Sequence, residues 1–333
     1  MSKVIIFSDL HIHDYQNFNK DGQRLTNCLR VLEDLFEFAN KYGINTILFG
    51  GDLFDTPKVL LTSVMNESVK TFIKLFETYP DIKFYAITGN HDQNRKNLID
   101  RPADASNQYL ASIFPDNFIL FDNKSVSLGD GIYISGIPYY EHPEHYSQCL
   151  DATLERLNTR DRKLGGEYKD YLFIHQTPHG LGNEMIPTDT NPKDERYKRF
   201  EHVFCGHIHA RQDLTDHFTI IGSPIHRDMG DVGENKGFIV MNLAKPENGY
   251  KFFELKDYPK FQQRFDDEEE FEDEEDNFVI VKPKVLHVTT NSDAPEVEKF
   301  NTSLENAELL RNYWEEVDGK NEELLEIGLS FIS

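Results

Sequence analysis

Short apolar runs that end in polar residues recur along the first third of the chain. Runs at 3–7, 44–49 and 82–87 are rich in β-branched and aromatic side chains, which predicts three buried strands. Apolar residues recur at three-to-four spacing over 22–42 and from about 63 to 78, which predicts two amphipathic helices. Strands that alternate with helices in this way indicate an α/β fold.

Similar strand-like runs continue through the middle of the chain. They occur at 118–121, 132–137, 171–174, 202–205, 218–221 and 237–243. The stretch 142–169 is predicted to form a helix and a long surface loop. Because ligands of α/β folds bind at the carboxyl ends of the strands, the polar residues that follow each run are the first candidates for a functional site.

The character of the sequence changes after about residue 256. Residues 266–276 are acidic at every position except Phe271, which is typical of a solvated linker. We therefore predict a catalytic domain at 1–256, an acidic linker at 257–277 and a small C-terminal segment at 278–333. In that segment, 278–281 and 285–290 could pair as a hairpin. The stretch 296–332 is weakly amphipathic and is the candidate for docking a partner, although it could equally pack on its own domain.

Composition and charge narrow the classes of function. The net charge of −23 argues against a nucleic-acid partner, but 266–333 alone carries −16, which leaves only −7 on 1–265. Three widely spaced cysteines predict a reducing compartment and no disulfide framework. Neither a run of 18 apolar residues nor a signal-peptide pattern is present, so we expect a cytoplasmic protein without a membrane span.

Side chains that bind metals cluster just after the strand-like runs. The set comprises two carboxylates, four imidazoles and one carboxamide, namely Asp9, His11, Asp52, Asn90, His175, His207 and His209. This mixture of oxygen and nitrogen suits Mn²⁺, Fe or Zn²⁺ without choosing among them. Seven ligands are too many for one tetrahedral ion and suit two ions that share a carboxylate. If the backbone is extended there, residues two apart share a face, so each of the Asp-x-His and His-x-His pairs could grip one ion or straddle two.

Each of these residues taken alone has an ordinary structural explanation. A single Asp or His at a strand end is usually a cap or turn residue, and Cys205, which ends an apolar run, is better explained as a small core residue. Four strand ends that all carry Asp, Asn or His are much harder to explain in that way. The joint pattern therefore favours a two-metal site.

Five motifs resemble the calcineurin-like metallophosphoesterase superfamily. They are DLH at 9–11, GGDLFD at 50–55, GNHD at 89–92, IHQ at 174–176 and GHIH at 206–209. The resemblance implies a four-layer α/β/β/α sandwich with a small C-terminal extension. It also implies the ligand roles: Asp9, His11 and His209 would bind one metal, and Asn90, His175 and His207 the other. Asp52 would bridge the two.

Within the superfamily, the chain looks most like SbcD-type DNA nuclease subunits and their compact counterparts in tailed phages. GDLFD at 51–55, the Gly-Ser-Pro at 222–224 and the Glu-Asn-Lys-Gly at 234–237 carry this finer likeness. It implies a Mn²⁺-dependent 3′-to-5′ exonuclease with endonuclease activity in DNA repair, recombination or replication. Its partners would be DNA and an SbcC-type ATPase, with a homodimer inside the complex. Asp55 stands where other members carry a second catalytic histidine, so its role is open.

Two alternatives stay open. One is a stand-alone phosphodiesterase or phosphatase of the same superfamily, acting on nucleotides or phosphoproteins. The other is a non-catalytic scaffold on the same fold, which the complete ligand set disfavours.

The remaining candidates concern the leaving group and the substrate. His91 is predicted to donate a proton to the leaving oxygen, with Asp92 orienting its imidazole and raising its pKa. Arg95, Lys96, Arg101 and His226 are candidates for contacts with the substrate, as is the basic cluster at 193–199. His13 is expected at the rim of the site or on the surface.

Overall fold

In the computed structural model, two six-stranded sheets pack face to face. The structure describes residues 2–15, 22–56, 61–93, 105–181, 190–265 and 277–282. The candidates Arg95, Lys96 and Arg101 lie outside these ranges, as do the acidic run 266–276 and the segment 283–333.

The first sheet has the order β12-β11-β1-β2-β3-β4. Its strands are β1 (Lys3–Phe7), β2 (Thr46–Phe49), β3 (Lys83–Ala86), β4 (Phe118–Leu120), β11 (Gly237–Asn242) and β12 (Tyr250–Glu254). Strands β1 to β4 are parallel, and β11 runs antiparallel to β1.

The second sheet has the order β5-β6-β7-β8-β10-β9. Its strands are β5 (Ser125–Gly129), β6 (Ile132–Ile137), β7 (Lys169–His175), β8 (His202–Gly206), β9 (Gln212–Thr215) and β10 (Phe218–Ile220). The central four are parallel, and the two edge strands β5 and β9 are antiparallel to their neighbours.

Four helices of the described chain flank the sheets. They are α1 (Gln23–Tyr42), α2 (Thr62–Thr78), α3 (Gln108–Ile113) and α4 (Pro143–Leu164). Helix α1 ends where the sequence predicts, at Gly43, whose left-handed φ of 64° lets its amide bond back to Ala39 and Asn40.

Alternation of side chains along each strand builds the layers. In β1, Val4 and Ile6 face the second sheet, whereas Ile5 and Phe7 pack against the apolar faces of α1 and α2. Strand β7 repeats the pattern: Tyr171 and Phe173 point between the sheets, and Leu172 and Ile174 toward α4. Three cores thus separate four layers, which confirms the predicted α/β/β/α sandwich.

The C-terminal part of the described chain departs from the predicted organisation. Strand β13 (Phe261–Phe265) lies inside the expected linker and pairs in parallel with β14 (Phe278–Lys282). One compact unit consequently runs from Met1 to Pro283. The ring centroids of Phe261 and Phe278 lie 4.9 Å apart, and the guanidinium of Arg24 from α1 lies over both rings. Residues 285–290, the other half of the predicted hairpin, lie outside the described residues.

All three cysteines are buried and free, as expected for a chain without a disulfide framework. In the described part of the chain, no helix combines the length and apolar character needed to cross a bilayer.

Candidate metal centre

The seven predicted ligands meet where both sheets present the carboxyl ends of their strands. His175 is the last residue of β7, His207 directly follows β8, and the other five lie a few residues beyond the end of a strand. Four of them, Asp9, His11, Asp52 and His207, have left-handed backbones with φ of 56°, 49°, 59° and 83°. Such conformations cost roughly 1–3 kcal/mol each and concentrate at functional sites. The side chains therefore converge through tight turns after the strands, and not through the extended backbone that the sequence interpretation assumes.

Asp9, His11 and His209 form the first donor group. Nε2 of His11 lies 3.2 Å from Nε2 of His209 and 3.9 Å from Oδ1 of Asp9. Two imidazole nitrogens and a carboxylate oxygen that point at a common position are what a divalent cation requires.

Asn90, His175 and His207 form the second group. Oδ1 of Asn90 is 2.7 Å from Nδ1 of His207 and 3.1 Å from Nε2 of His175. Asp52 reaches both groups, since its Oδ2 is 3.2 Å from His175 Nε2 and 3.6 Å from His11 Nε2. This is the arrangement expected if Asp52 bridges two cations.

The electrostatics of these residues fit bound cations. Burial alone would raise the pKa of Asp52, but the charge of His175 and a hydrogen bond from it bring that pKa well below its ordinary value. Burial opposes a charge on His175, yet Asp52 and Asp9 raise its pKa to about 9. Burial lowers the pKa of His207 and of His209 to about 3, which keeps both imidazoles neutral, as metal ligands must be. The raised pKa of His175 shows that the buried carboxylates favour positive charge beside them, which a bound cation would also supply.

Neighbouring groups hold the ligands in orientation. Nδ1 of His175 donates to the carbonyl of Gly50 at 2.7 Å, which leaves Nε2 free for a metal. The carboxylate of Asp9 accepts the backbone N–H of His207 at 3.0 Å and so ties the first motif to the last.

Close packing of backbone explains two of the glycines in the motifs. A Cβ on Gly89 would lie 2.1 Å from Oδ1 of Asp52, and one on Gly206 would lie 2.4 Å from the carbonyl of Gly50. Gly89 is therefore required because the carboxylate of Asp52 passes against it.

The loop that carries His209 is held by the Gly-Ser-Pro motif at 222–224 and the Glu-Asn-Lys-Gly motif at 234–237. The carbonyl of His209 accepts the amide of Ser223 at 3.0 Å and the ammonium of Lys236 at 2.8 Å. Lys236 is itself buried and pairs with Asp231 at 2.6 Å. Both motifs therefore act on the position of a metal ligand.

His91 lies beside the first donor group, partly buried. Its ring stands edge-on to that of His11 at 4.8 Å, and its backbone N–H donates to Oδ1 of Asp52 at 2.7 Å. Nδ1 of His91 is 2.5 Å from the carbonyl of Asp55. Burial lowers the pKa of His91, opposite to the rise expected from the sequence.

Asp92 does not make the predicted contact with the imidazole of His91. Its carboxylate, completely buried, instead accepts backbone N–H groups at 3.0–3.1 Å from Gly89, Asp52, Leu53 and Phe54. Burial and the charge of Asp52 raise its pKa to about 7, although the amide hydrogen bonds oppose that shift. Asp92 therefore shapes the loop that carries the bridging ligand.

Two other histidines are engaged in ways that the sequence did not indicate. Both nitrogens of the buried His226 have backbone partners, the carbonyl of Glu234 at 3.0 Å and the amide of Phe261 at 3.3 Å, so its predicted substrate contact is not supported. His13 is buried rather than at the rim, with Nδ1 on the carbonyl of His11 and Nε2 on Arg24.

Arginines of the basic cluster at 193–199 are largely neutralised. Arg196 pairs with Asp194 and Asp151, and Arg199 pairs with Asp161 and Asp170, at 2.7–3.0 Å. These pairs hold the segment against α4 and β7 and leave little free charge for phosphate.

Comparison with known families agrees with this geometry. Residues 2–211 match the calcineurin-like phosphoesterase family. The chain belongs to the calcineurin-like phosphoesterase family. Membership implies metal-dependent hydrolysis of a phosphoester at a dinuclear centre.

One relative and two solved structures give the range of similarity. The chain is 24% identical to exonuclease subunit 1 of Enterobacteria phage T4 over 216 residues, which span 62% of this chain and 56% of that protein. The solved structure of a Thermus thermophilus protein is 10% identical, with a TM-score of 0.48, and covers 77% of this chain and 99% of its own. A dimetal phosphatase from Danio rerio is 11% identical, with a TM-score of 0.46, and covers 72% and 91%.

Proposed function

We propose that this protein is the nuclease subunit of a DNA-processing complex and hydrolyses phosphodiesters with two Mn²⁺ ions. The observation that carries the proposal is that Asp52 lies within reach of both His11 and His175, one from each donor group, with His91 beside them. The likeness to a phage exonuclease subunit supports DNA as the substrate. Fe or Zn²⁺ would fit the same ligands.

The residues divide the work of hydrolysis. Asp9, His11 and His209 would hold one cation, Asn90, His175 and His207 the other, with Asp52 between them. When bound, the cations supply Lewis-acid stabilisation of the phosphate and an acidified water as nucleophile.

His91 is the proposed proton donor to the leaving oxygen. Because the carbonyl of Asp55 can only accept, Nδ1 of His91 carries a proton and donates to it. Nε2 is therefore the nitrogen left to face the substrate. It can give a proton to the leaving oxygen only from the doubly protonated imidazolium, a state that Asp52 and Asp55 favour and that burial opposes. In this proposal Asp92 acts indirectly, through the backbone of Asp52.

The proposal extends to partners and place of action. An SbcC-type ATPase would dock on 296–332, and the assembly would contain two copies of this chain, in the cytoplasm, or in the host cytoplasm if a phage encodes it. Deleting 290–333 should abolish copurification with the ATPase and preserve Mn²⁺-dependent cleavage of bis(p-nitrophenyl) phosphate. Retained copurification would reject this docking site.

A substrate panel tests the activity itself. Purified protein with Mn²⁺ is incubated with 3′- and 5′-end-labelled duplex DNA, with cyclic nucleotides and with phosphopeptides, alone and with a coexpressed ATPase. We expect shortening of the DNA from its 3′ ends and endonucleolytic cuts. Turnover confined to cyclic nucleotides or phosphopeptides would indicate a stand-alone phosphodiesterase or phosphatase instead.

A further inference from the structure

Asp55 is a buried carboxylate next to the candidate metal centre, and no role has been assigned to it so far. It is 3% exposed and directly follows the GGDLF turn that carries Asp52. Its side chain contacts three residues from distant parts of the chain: His11, Tyr15 and Arg227. Its backbone carbonyl reaches a fourth, His91.

The contact with His11 bears on a metal ligand. Nε2 of His11 points at His209 and the two aspartates, so the ring can bind a cation only if the proton sits on Nδ1. Oδ1 of Asp55 lies 3.3 Å from that Nδ1. Among the described residues neither atom has a hydrogen-bond partner, and their 3.3 Å separation makes each the candidate partner of the other.

Two further groups fix the Asp55 carboxylate itself. The hydroxyl of Tyr15 donates to Oδ2, and the guanidinium of Arg227 lies 2.9 Å from Oδ1. The carboxylate is therefore held in place before any cation binds. At the same residue, the carbonyl accepts Nδ1–H of His91, so one position governs both a metal ligand and the proposed proton donor.

We propose that Asp55 is a positioning residue whose carboxylate keeps His11 in the Nδ1-protonated tautomer, with Nε2 toward the metal. Carboxylates that accept from a ligating imidazole typically contribute 10–100-fold to metal affinity. The inference concerns the geometry of the centre, and its consequence for turnover rests on the proposed function.

The test compares Asp55→Asn and Asp55→Ala with the full-length protein. Apo protein is titrated with Mn²⁺ alone by calorimetry, and nitrogen-15 NMR of the imidazoles reports the tautomer of His11. Asp170→Asn is the matched control. Asp170 is likewise a buried carboxylate paired with arginine, here with two of them, but it lies at the start of β7, at the opposite end of that strand from His175.

Asp55→Ala should weaken one of two Mn²⁺ sites by 10–100-fold, leave the other within about threefold and remove the Nδ1-protonated signature of His11. Asp55→Asn keeps an acceptor oxygen and should restore part of that affinity. Asp170→Asn should leave both sites unchanged. The inference is overturned if Asp55→Asn and Asp55→Ala both bind two Mn²⁺ with wild-type affinity, or if His11 keeps its tautomer in Asp55→Ala.

These readouts separate the inference from the proposed nuclease. Wild-type protein that binds two Mn²⁺ but cleaves no DNA would contradict the nuclease and leave the role of Asp55 standing. Should Asp55→Ala fail to fold, Asp55→Asn and Tyr15→Phe still test the role. Tyr15 is 46% exposed, and removing its hydroxyl frees only one oxygen of the Asp55 carboxylate. Tyr15→Phe should therefore weaken one Mn²⁺ site a few-fold. An unchanged Mn²⁺ affinity would count against the inference.

Discussion

Replacing Asp92 by Asn probes how the loop of the bridging ligand is built. Oδ2 of Asp92 accepts the amides of Asp52 and Gly89, and Oδ1 accepts those of Leu53 and Phe54. An asparagine keeps one acceptor oxygen and turns an NH₂ group toward two of these N–H donors. Each buried donor left unpaired costs about 1–3 kcal/mol, so we expect a loss of about 2–6 kcal/mol of unfolding free energy.

Urea unfolding in EDTA at pH 8 measures this loss with Asp92 ionised, since its pKa is raised only to about 7. The control is Asp122→Asn, a buried carboxylate in the neighbouring loop that accepts hydrogen bonds from the amide and the hydroxyl of Thr88. The hydroxyl of Thr88 can reverse and accept from the new NH₂, so this variant should lose about 1 kcal/mol or less. Equal losses in the two variants would refute the account of Asp92.

Three other predictions concern the centre and the stability of the fold. Gly89→Ala should lose one or both metals and its activity, because the new Cβ would overlap Asp52; unchanged Mn²⁺ content by elemental analysis would contradict this. His91→Ala should keep two Mn²⁺ and lose phosphodiester cleavage. The control variant, with the exposed His217 replaced by Ala, should keep the Mn²⁺ and the cleavage; loss of metal from His91→Ala would make His91 a ligand. Burial lowers the pKa of His202 from 6.5 to about 4, so the unfolded chain binds a proton there that the folded chain excludes. This residue alone should lower stability by at most about 3 kcal/mol between pH 6.5 and 4. His202→Gln should flatten that slope in urea titrations; an unchanged slope would place the pH dependence elsewhere.

Much of the fold could be read from local patterns, because buried strands such as β1 and β7 are apolar on both faces and stand out in the sequence. Edge strands such as β9 and β12 carry polar, partly exposed side chains and were missed. Strand β13 was hidden for a different reason: its partner lies beyond an acidic run, and pairing across such a gap leaves no local signal.

The convergence of the seven predicted ligands could be predicted from the sequence because each stands at the end of an apolar run. The residues that hold them could not be predicted, because their roles depend on contacts between distant segments. Lys236 reaches the carbonyl of His209, and Arg227 reaches Asp55 across more than half of the chain. The sequence predicts that Asp92 orients the imidazole of its neighbour His91. In the structure that imidazole contacts the backbone carbonyl of Asp55, and Asp92 accepts backbone amides instead.

Anomalous diffraction from crystals grown with Mn²⁺ tests the central claim most directly. The account predicts two peaks roughly 3.5–4 Å apart, one among Asp9, His11 and His209 and the other among Asn90, His175 and His207, with Asp52 between them. A single peak, or a second peak that Asp52 does not reach, would contradict the two-metal centre.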